Sequence, residues 1–455
     1  MPALAFTHAH VFDGTLDGDL QEDVTILVGF EEEGKGAEGT ITRIAPSADA
    51  ELPGGCRVVD LSGKYVIPGF INAHVHLFGD GKPMAIMSAS DAKLAVMKKL
   101  LSIGPGRAYL KARMKRNAQT ALNSGVTTLR TAGDFGYLDV ILRDAFAEGT
   151  YPGPRLVAAG RSICVTGGHG ALMAHVIDNP WDGRKAVRDC LHHGSDVIKI
   201  LSTGGVMDAK RLGEAGRAQM TVEEIAAICD EAHRGGYKVM THCESTLGIR
   251  EALQGGVDSI EHSAPIPDDL IPLFKDNPRA MNGYTTLVAT ISALMDLCEL
   301  GREVLKISEI AQQNGEIIRD GMIAGLKTAI EHGIAVAMGT DASVPFVPQY
   351  EFWRELVYYQ HFAGVSNQHA INIATQQNAK LLGIDDITGT MEAGKSADFV
   401  VLDRNPLEDL AALEHVVHVV YRGNVIQEPS YKKVKALEAH KANRYYEKYV
   451  ANRVT

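Results

Sequence analysis

Four histidines, one lysine and one aspartate stand at the ends of, or inside, short apolar runs. His74 and His76 follow such a run, Lys199 lies within Asp196-Val-Ile-Lys-Ile-Leu201, and His242 closes Met240-Thr241-His242. His262 closes Ile260-Glu261-His262, and Asp341 closes Met338-Gly339-Thr340-Asp341. The i, i+2 spacing of the first pair puts both rings on one face of an extended segment. Imidazole nitrogens with carboxylate oxygens suit Zn²⁺, and Mn²⁺, Co²⁺ or Fe²⁺ would accept the same set. A lysine in a buried strand is costly as an ammonium, because burial favours the neutral amine. That amine can capture CO₂ as a carbamate whose two oxygens bridge two cations. The bland alternative is a lysine whose stem is buried while its ammonium reaches a carboxylate. Each residue alone is ambiguous, as the unassigned His8, His10, His192, His193, His233, His332 and His418 illustrate. The argument for a metal centre is that all six fall at comparable places.

Bringing them together needs elements that put strand ends on one rim. From residue 66 onward short apolar strands alternate with helical stretches, with strands expected at 66–72, 126–130, 155–159, 197–201, 238–241, 259–261, about 282–287 and 334–338. Eight strand-then-helix units fit an α/β chain folded as a (β/α)8 TIM barrel, whose chemistry sits at the C-terminal strand ends. A doubly wound sheet would carry a Gly-rich phosphate loop after its first strand. Here that strand runs straight into His74-Val75-His76.

Both ends of the chain read differently. Short strands at 3–13, 24–28 and 41–44 are separated by Gly- and Glu-rich turns such as 29–40. Strand texture returns after Gly389, at 398–402 and 416–422, with Gly423-Asn424 as a hairpin turn. The expected organisation is a small β-sandwich from 1–65 and 389–429, the barrel over 66–388, and a helical tail over 430–455, packed at a subunit surface or solvated.

Composition sets outer bounds. The 455 residues are 45% hydrophobic and 22% charged, which excludes a collagen or a disordered chain. A net charge of −11 offers no basic face for nucleic acid. No apolar run approaches the roughly 18 residues of a membrane span, and MPALAFTHAHVFDG lacks the basic region and long apolar core of a signal peptide. Six separated cysteines without a C-x-x-C pair read as reduced thiols. The expectation is a cytoplasmic homo-oligomer that acts on a small molecule, with no nucleic-acid or membrane partner.

Ile67-Pro-Gly-Phe-Ile-Asn-Ala-His-Val-His76, the strand lysine, the two single histidines, Gly339-Thr-Asp341 and the closing Gly389-Thr-Met-Glu-Ala-Gly-Lys-Ser-Ala-Asp-Phe-Val-Val-Leu402 together resemble the amidohydrolase superfamily. Val197-Ile-Lys-Ile200, Ser202-Thr-Gly-Gly-Val206 and Thr166-Gly-Gly-His169 are similar to its imidazolonepropionase-related branch of Xaa-Pro and Xaa-Arg dipeptidases and ochratoxin-type amidases. The resemblance implies two divalent cations, Zn first among them. His74, His76 and Asp341 would hold one, His242 and His262 the other, and N6-carboxylated Lys199 would bridge them. Asp341 would be catalytic, accepting a proton during amide hydrolysis by a bridging hydroxide. A dipeptide, an N-acyl amino acid or an ochratoxin-like amide would be the substrate, with release of a C-terminal amino acid.

His169, Tyr284 and Ser343 are the candidate substrate contacts. The glycines of 166–170 and 202–206 could let backbone N–H groups approach a substrate carboxylate, or could simply permit tight turns. Two departures stand out. The second strand ends Leu129-Arg-Thr-Ala-Gly133, where relatives commonly have Arg-Asp, which leaves Arg130 and Thr131 without a role. Thr241-His-Cys-Glu-Ser245 carries an acid where relatives often have small or aromatic residues. Two other classes stay open: a mononuclear ring-amide hydrolase or deaminase, and a metal-free assembly scaffold.

Overall fold

The computed structural model describes residues 3–30, 38–83, 96–97, 99–101 and 103–451. The middle of the expected turn at 29–40 and the last four residues of the tail lie outside them. Eight strands run parallel where the alternation predicts them, in two sheets. Phe70–Val75, Val126–Thr131 and Arg155–Val157 form the smaller sheet. Ile198–Leu201, Val239–Cys243, Ser259–His262, Thr286–Ala289 and Val336–Met338 run in order through the larger one.

The sheets meet at both sides. The N–H groups of Thr340 and Asp341 donate to the His74 carbonyl at 3.2 and 2.9 Å, and His76 N–H donates to Ala342 O at 2.9 Å. On the other side Asp196 N–H donates to Ala158 O at 2.7 Å. Two three-residue strands, Ile163–Val165 and His175–Ile177, extend the larger sheet beside Ile198–Leu201. They are too short to show a period in the sequence. Amphipathic helices pack outside, such as Val222–Arg234, which Thr221 and Glu224 start with a reciprocal capping box.

The expected first strand, 66–72, is two strands. Tyr65–Pro68 pairs antiparallel with Phe399–Leu402, whereas Phe70–Val75 pairs parallel with Val126–Thr131. Gly69 is the break, and a Cβ there would lie 2.4 Å from the Thr127 side chain. Thus the N- and C-terminal segments share one eight-stranded sheet, to which Arg57–Asp60 adds a strand not anticipated. Phe6, Ile26, Val28, Ile41, Val66, Phe399 and Val401 give that sheet a core of its own. The hairpin turn falls on Arg422-Gly423, one residue earlier than expected, with both at positive φ.

The tail is not one helix. Its described residues make three short helical turns, Lys435–Glu438, Lys441–Asn443 and Tyr446–Val450. Nor is it merely solvated: Arg444 is 2% exposed and donates to Asp296 and Glu351 of the body. Among the described residues no helix is long and apolar enough to cross a membrane.

Candidate metal centre

His74 is fully buried at the end of its strand, and its Nδ1–H donates to Glu261 Oε2 at 2.7 Å. That leaves Nε2 with a bare lone pair, 3.6 Å from Asp341 Oδ1. His76 Nδ1–H donates to the Gly133 carbonyl at 2.6 Å, so its Nε2 also faces Asp341 Oδ1, at 3.3 Å. Asp341 reaches this position through a left-handed φ of 58°, held by its N–H on His74 O. The ligand atoms of His74, His76 and Asp341 all lie within 4.8 Å of one another.

The donor set fits a cation. His74 Nε2 and Asp341 Oδ1 are both buried without a hydrogen-bond partner, and such groups are costly unless something satisfies them. Burial holds His74 and His242 well below the usual imidazole range and pulls His262 down to about 4. They are therefore neutral at pH 7, the form a metal requires. Burial opposes ionisation of Asp341 as well, but the hydrogen bond and charge of His76, itself raised by this carboxylate, favour the ionised form.

The rings form a row. Centroids are 5.8 Å apart for His76–His74 and 4.9 Å for His74–His262, then 4.5 Å for His262–His242 and 4.3 Å for His242–His169. His262 turns into this row at φ 77°, its Nδ1 bonded to Thr290 Oγ1 at 2.7 Å. Lys199 is buried on the neighbouring strand, where the register pairs it with Met240 and pairs Leu201 with His242. Burial lowers its ammonium to about 8, against the pull of Glu261 and Asp341.

Behind His74 lies a partnership that sequence reasoning left unassigned. Arg130 donates to Glu261 Oε1 at 2.8 Å, to Ser259 Oγ at 3.2 Å and to the Ala73 carbonyl at 2.6 Å. Glu261 thus binds Arg130 through one oxygen and His74 through the other. Opposite charges inside two apolar strands were the available signal. Thr131 is structural: its hydroxyl donates to Asp139 at 2.7 Å and accepts from Ala159 N–H.

The three expected substrate contacts part ways. His169 joins the row of rings, with Nδ1 paired to Asp208. Tyr284 does not: the seventh strand is Thr286–Ala289, so Tyr284 precedes it and sits at the end opposite the histidines. Ser343 is consumed by packing. It is fully buried, its hydroxyl facing the His76 and Gly79 carbonyls and accepting Gly79 N–H. The glycine loops supply little of the expected backbone cradle either. The N–H groups of Gly168, His169, Gly170 and Gly204 already donate to Val165, Gln219, Asp208 and Arg217. Gly205 matters for a different reason, since a Cβ there would lie 2.5 Å from the His169 ring.

Known proteins share this fold and much of this sequence. A prolidase candidate from Bifidobacterium longum has a crystal structure with TM-score 0.83 and 39% identity, covering 96% of this chain and 98% of that one. A Xaa-Pro dipeptidase structure with methionine in its active site has TM-score 0.79 and 29% identity, covering 93% and 100%. The ochratoxinase of Aspergillus niger is 27% identical over 394 residues, spanning 80% of this chain and 76% of that protein. The amidohydrolase family model matches residues 65–426. With its strand-end histidines and aspartate, the chain belongs to the amidohydrolase family and is a hydrolytic enzyme.

Proposed function

We propose that the chain is a binuclear metal-dependent hydrolase that cleaves an amide and releases a C-terminal amino acid. The observation that carries this is the pair of buried, unpartnered ligand atoms, His74 Nε2 and Asp341 Oδ1, beside the second histidine pair. His74, His76 and Asp341 would hold one divalent cation and His242 with His262 another, with Lys199, carboxylated on its side chain, as the bridge. Zn²⁺ is the first choice for this donor set. When bound, such cations ionise water near neutral pH and polarise a carbonyl.

The protein groups do the remaining work. Asp341 accepts the attacking water's proton and returns it to the leaving amine. His169, held by Asp208 beside His242, would line the substrate subsite. Arg130 and Glu261 hold His74 in the tautomer that leaves Nε2 bare. The eight parallel strands would close as a (β/α)8 barrel, supported by the contacts at both sheet seams. Residues 1–65 and 389–429 would form the β-sandwich beside it.

Elemental analysis of the purified protein, followed by a screen of dipeptides, N-acyl amino acids and ochratoxin-like amides, tests this reading. Two metal equivalents with amide hydrolysis are expected. One equivalent would favour a ring-amide hydrolase or deaminase, and none a scaffold. A good substrate compared with its C-terminal amide then tests carboxylate recognition, and equal kcat/KM for the two would defeat it.

A further inference from the structure

The buried arginine of the tail reaches toward the metal centre through one carbonyl. Arg444 donates from Nε to Asp296 and from both Nη atoms to Glu351. Its Nη2 also donates, at 3.0 Å, to the carbonyl oxygen of Phe346. Asp296 belongs to helix Ser292–Glu299, which follows the strand Thr286–Ala289. Glu351 directly precedes helix Phe352–Ala363, and Phe346 lies in the loop that begins at Asp341. One side chain from the chain's end therefore gathers the segments that follow the last two parallel strands.

That loop needs holding. Asp341, Ser343 and Phe346 have φ of 58°, 107° and 65°, a region that residues other than glycine rarely enter. Strain of this kind persists only where the surroundings over-determine it. Bonds within the loop are modest: Val344 N–H donates to Asp341 O at 3.4 Å and Ser343 N–H to Val347 O at 3.1 Å. The firmer contacts come from outside. Phe346 N–H donates at 2.6 Å to the carbonyl of Gly81, in the segment after His76, and Gln349 Nε2 donates to the His76 carbonyl at 2.7 Å. Phe346 is thus pinned through its N–H to the His76 segment and through its carbonyl to the tail.

A guanidinium suits this post. It stays charged across the working pH range and carries its donors in a rigid fork, so it can span several acceptors at once. Its hydrogen bonds go to neighbours of the proposed ligands and not to the ligands. We infer that Arg444 is a positioning residue: through Phe346 it holds the loop that sets Asp341 against His76, which makes the C-terminal tail part of the framework of the metal centre. This rests on the metal-dependent reading above. Coupling between two sites is reciprocal, so filling the centre must tighten the tail in turn.

The test sets Arg444→Lys and Glu447→Gln beside the wild-type chain. Lysine keeps a charge between Asp296 and Glu351, but its single ammonium lacks the fork that also spans Phe346. Glu447→Gln is the control: it removes the tail's ion pair with Arg354, 2.7 Å long, and leaves the Phe346 contact in place. On metal-free protein, hydrogen exchange over 341–350 should quicken about tenfold or more in Arg444→Lys and stay within about threefold of wild type in Glu447→Gln. Zinc affinity, read by chelator competition, should fall about tenfold in Arg444→Lys alone. The visible spectrum of the cobalt-loaded protein, which follows ligand geometry, should shift in that variant only. In wild type, zinc should slow exchange over 444–450 by about tenfold, a measurement that needs no variant to fold. A wild-type chain that binds no zinc would sink the metal reading, while exchange over 341–350 still decides what Arg444 holds. Unchanged loop exchange or zinc affinity in Arg444→Lys, equal losses in Glu447→Gln, or a tail indifferent to zinc each overturns the inference.

Discussion

Lys199 is held where an ammonium is disfavoured, and its value near 8 makes a concrete demand. The amine must lose its proton before it can attack CO₂, so the reactive fraction rises with pH up to about 8 and falls roughly tenfold per unit below. Zinc reloading of the metal-stripped enzyme, measured at fixed dissolved CO₂, should accelerate with pH over that range. Lys199→Ala should retain at most one equivalent and lose the CO₂ dependence; two equivalents and full activity in the variant would remove the carbamate from the account. Glu261 acts one layer further out. Glu261→Gln weakens the hold on His74 Nδ1, and metal affinity should fall about ten- to a hundredfold, read by competition with a chelator. Arg130→Met removes the cation beside buried Glu261 and leaves it only the His74 N–H and the Ser259 hydroxyl, which should cost about 3–5 kcal/mol in a urea unfolding curve. The residue types of the candidate metal centre were legible from their strand-end positions. The Arg130–Glu261 pair was not, because 131 residues separate its members.

At the scale of elements, the seam between the sheets depends on a side chain. Asn378 is fully buried and accepts Met338 N–H at 2.7 Å. Its amide donates to Met338 O at 2.8 Å and to Ile71 O, tying the eighth strand to the first. Asn378→Ala should lose about 3 kcal/mol, since the mutation strands buried backbone groups, and metal affinity should fall with it because His74 sits three residues beyond Ile71. A change below about 1 kcal/mol in the urea midpoint analysis would show that the seam holds without it. Gly339 makes a related constraint: a Cβ there would lie 2.4 Å from that of His74. Strand existence followed from the apolar rhythm, but the break at Gly69 and the late start of Thr286–Ala289 did not. Both depend on which neighbour each residue pairs with, and local pattern does not encode that.

The whole molecule is closed by its tail. Arg444 donates to Asp296 at 2.7 Å and to both oxygens of Glu351, at 2.8 and 2.6 Å. Removing this guanidinium in Arg444→Met takes a buried cation from Asp296 and Glu351 and should cost about 3–5 kcal/mol, seen as a lowered Tm. The same cluster gives a pH signature. Burial raises the Glu351 carboxyl, but Arg354 and Arg444 outweigh it and hold the group below its ordinary 4.5. A depressed folded-state value means that the stabilisation is complete above about 4.5 and is lost as pH falls through the lowered value. Glu351→Gln should therefore be less stable than wild type at neutral pH, and the difference should shrink on acidification. Urea midpoints across that range measure it; a difference independent of pH would contradict the linkage.

The sequence by itself determined the residue types of the candidate site, the alternation of strand and helix, the β-rich ends and the family. These features are local: a histidine at a strand end and an apolar run are visible in a window of a few residues. Tertiary structure alone decided that Glu261 joins His74 to Arg130, that Ser343 is spent on packing and that Tyr284 stands at the far end of its strand. It also decided that Arg444 meets the Phe346 carbonyl in the loop that begins at Asp341. Each of those outcomes depends on strand register and on burial by distant segments, and neither is written in the identity or spacing of neighbouring residues.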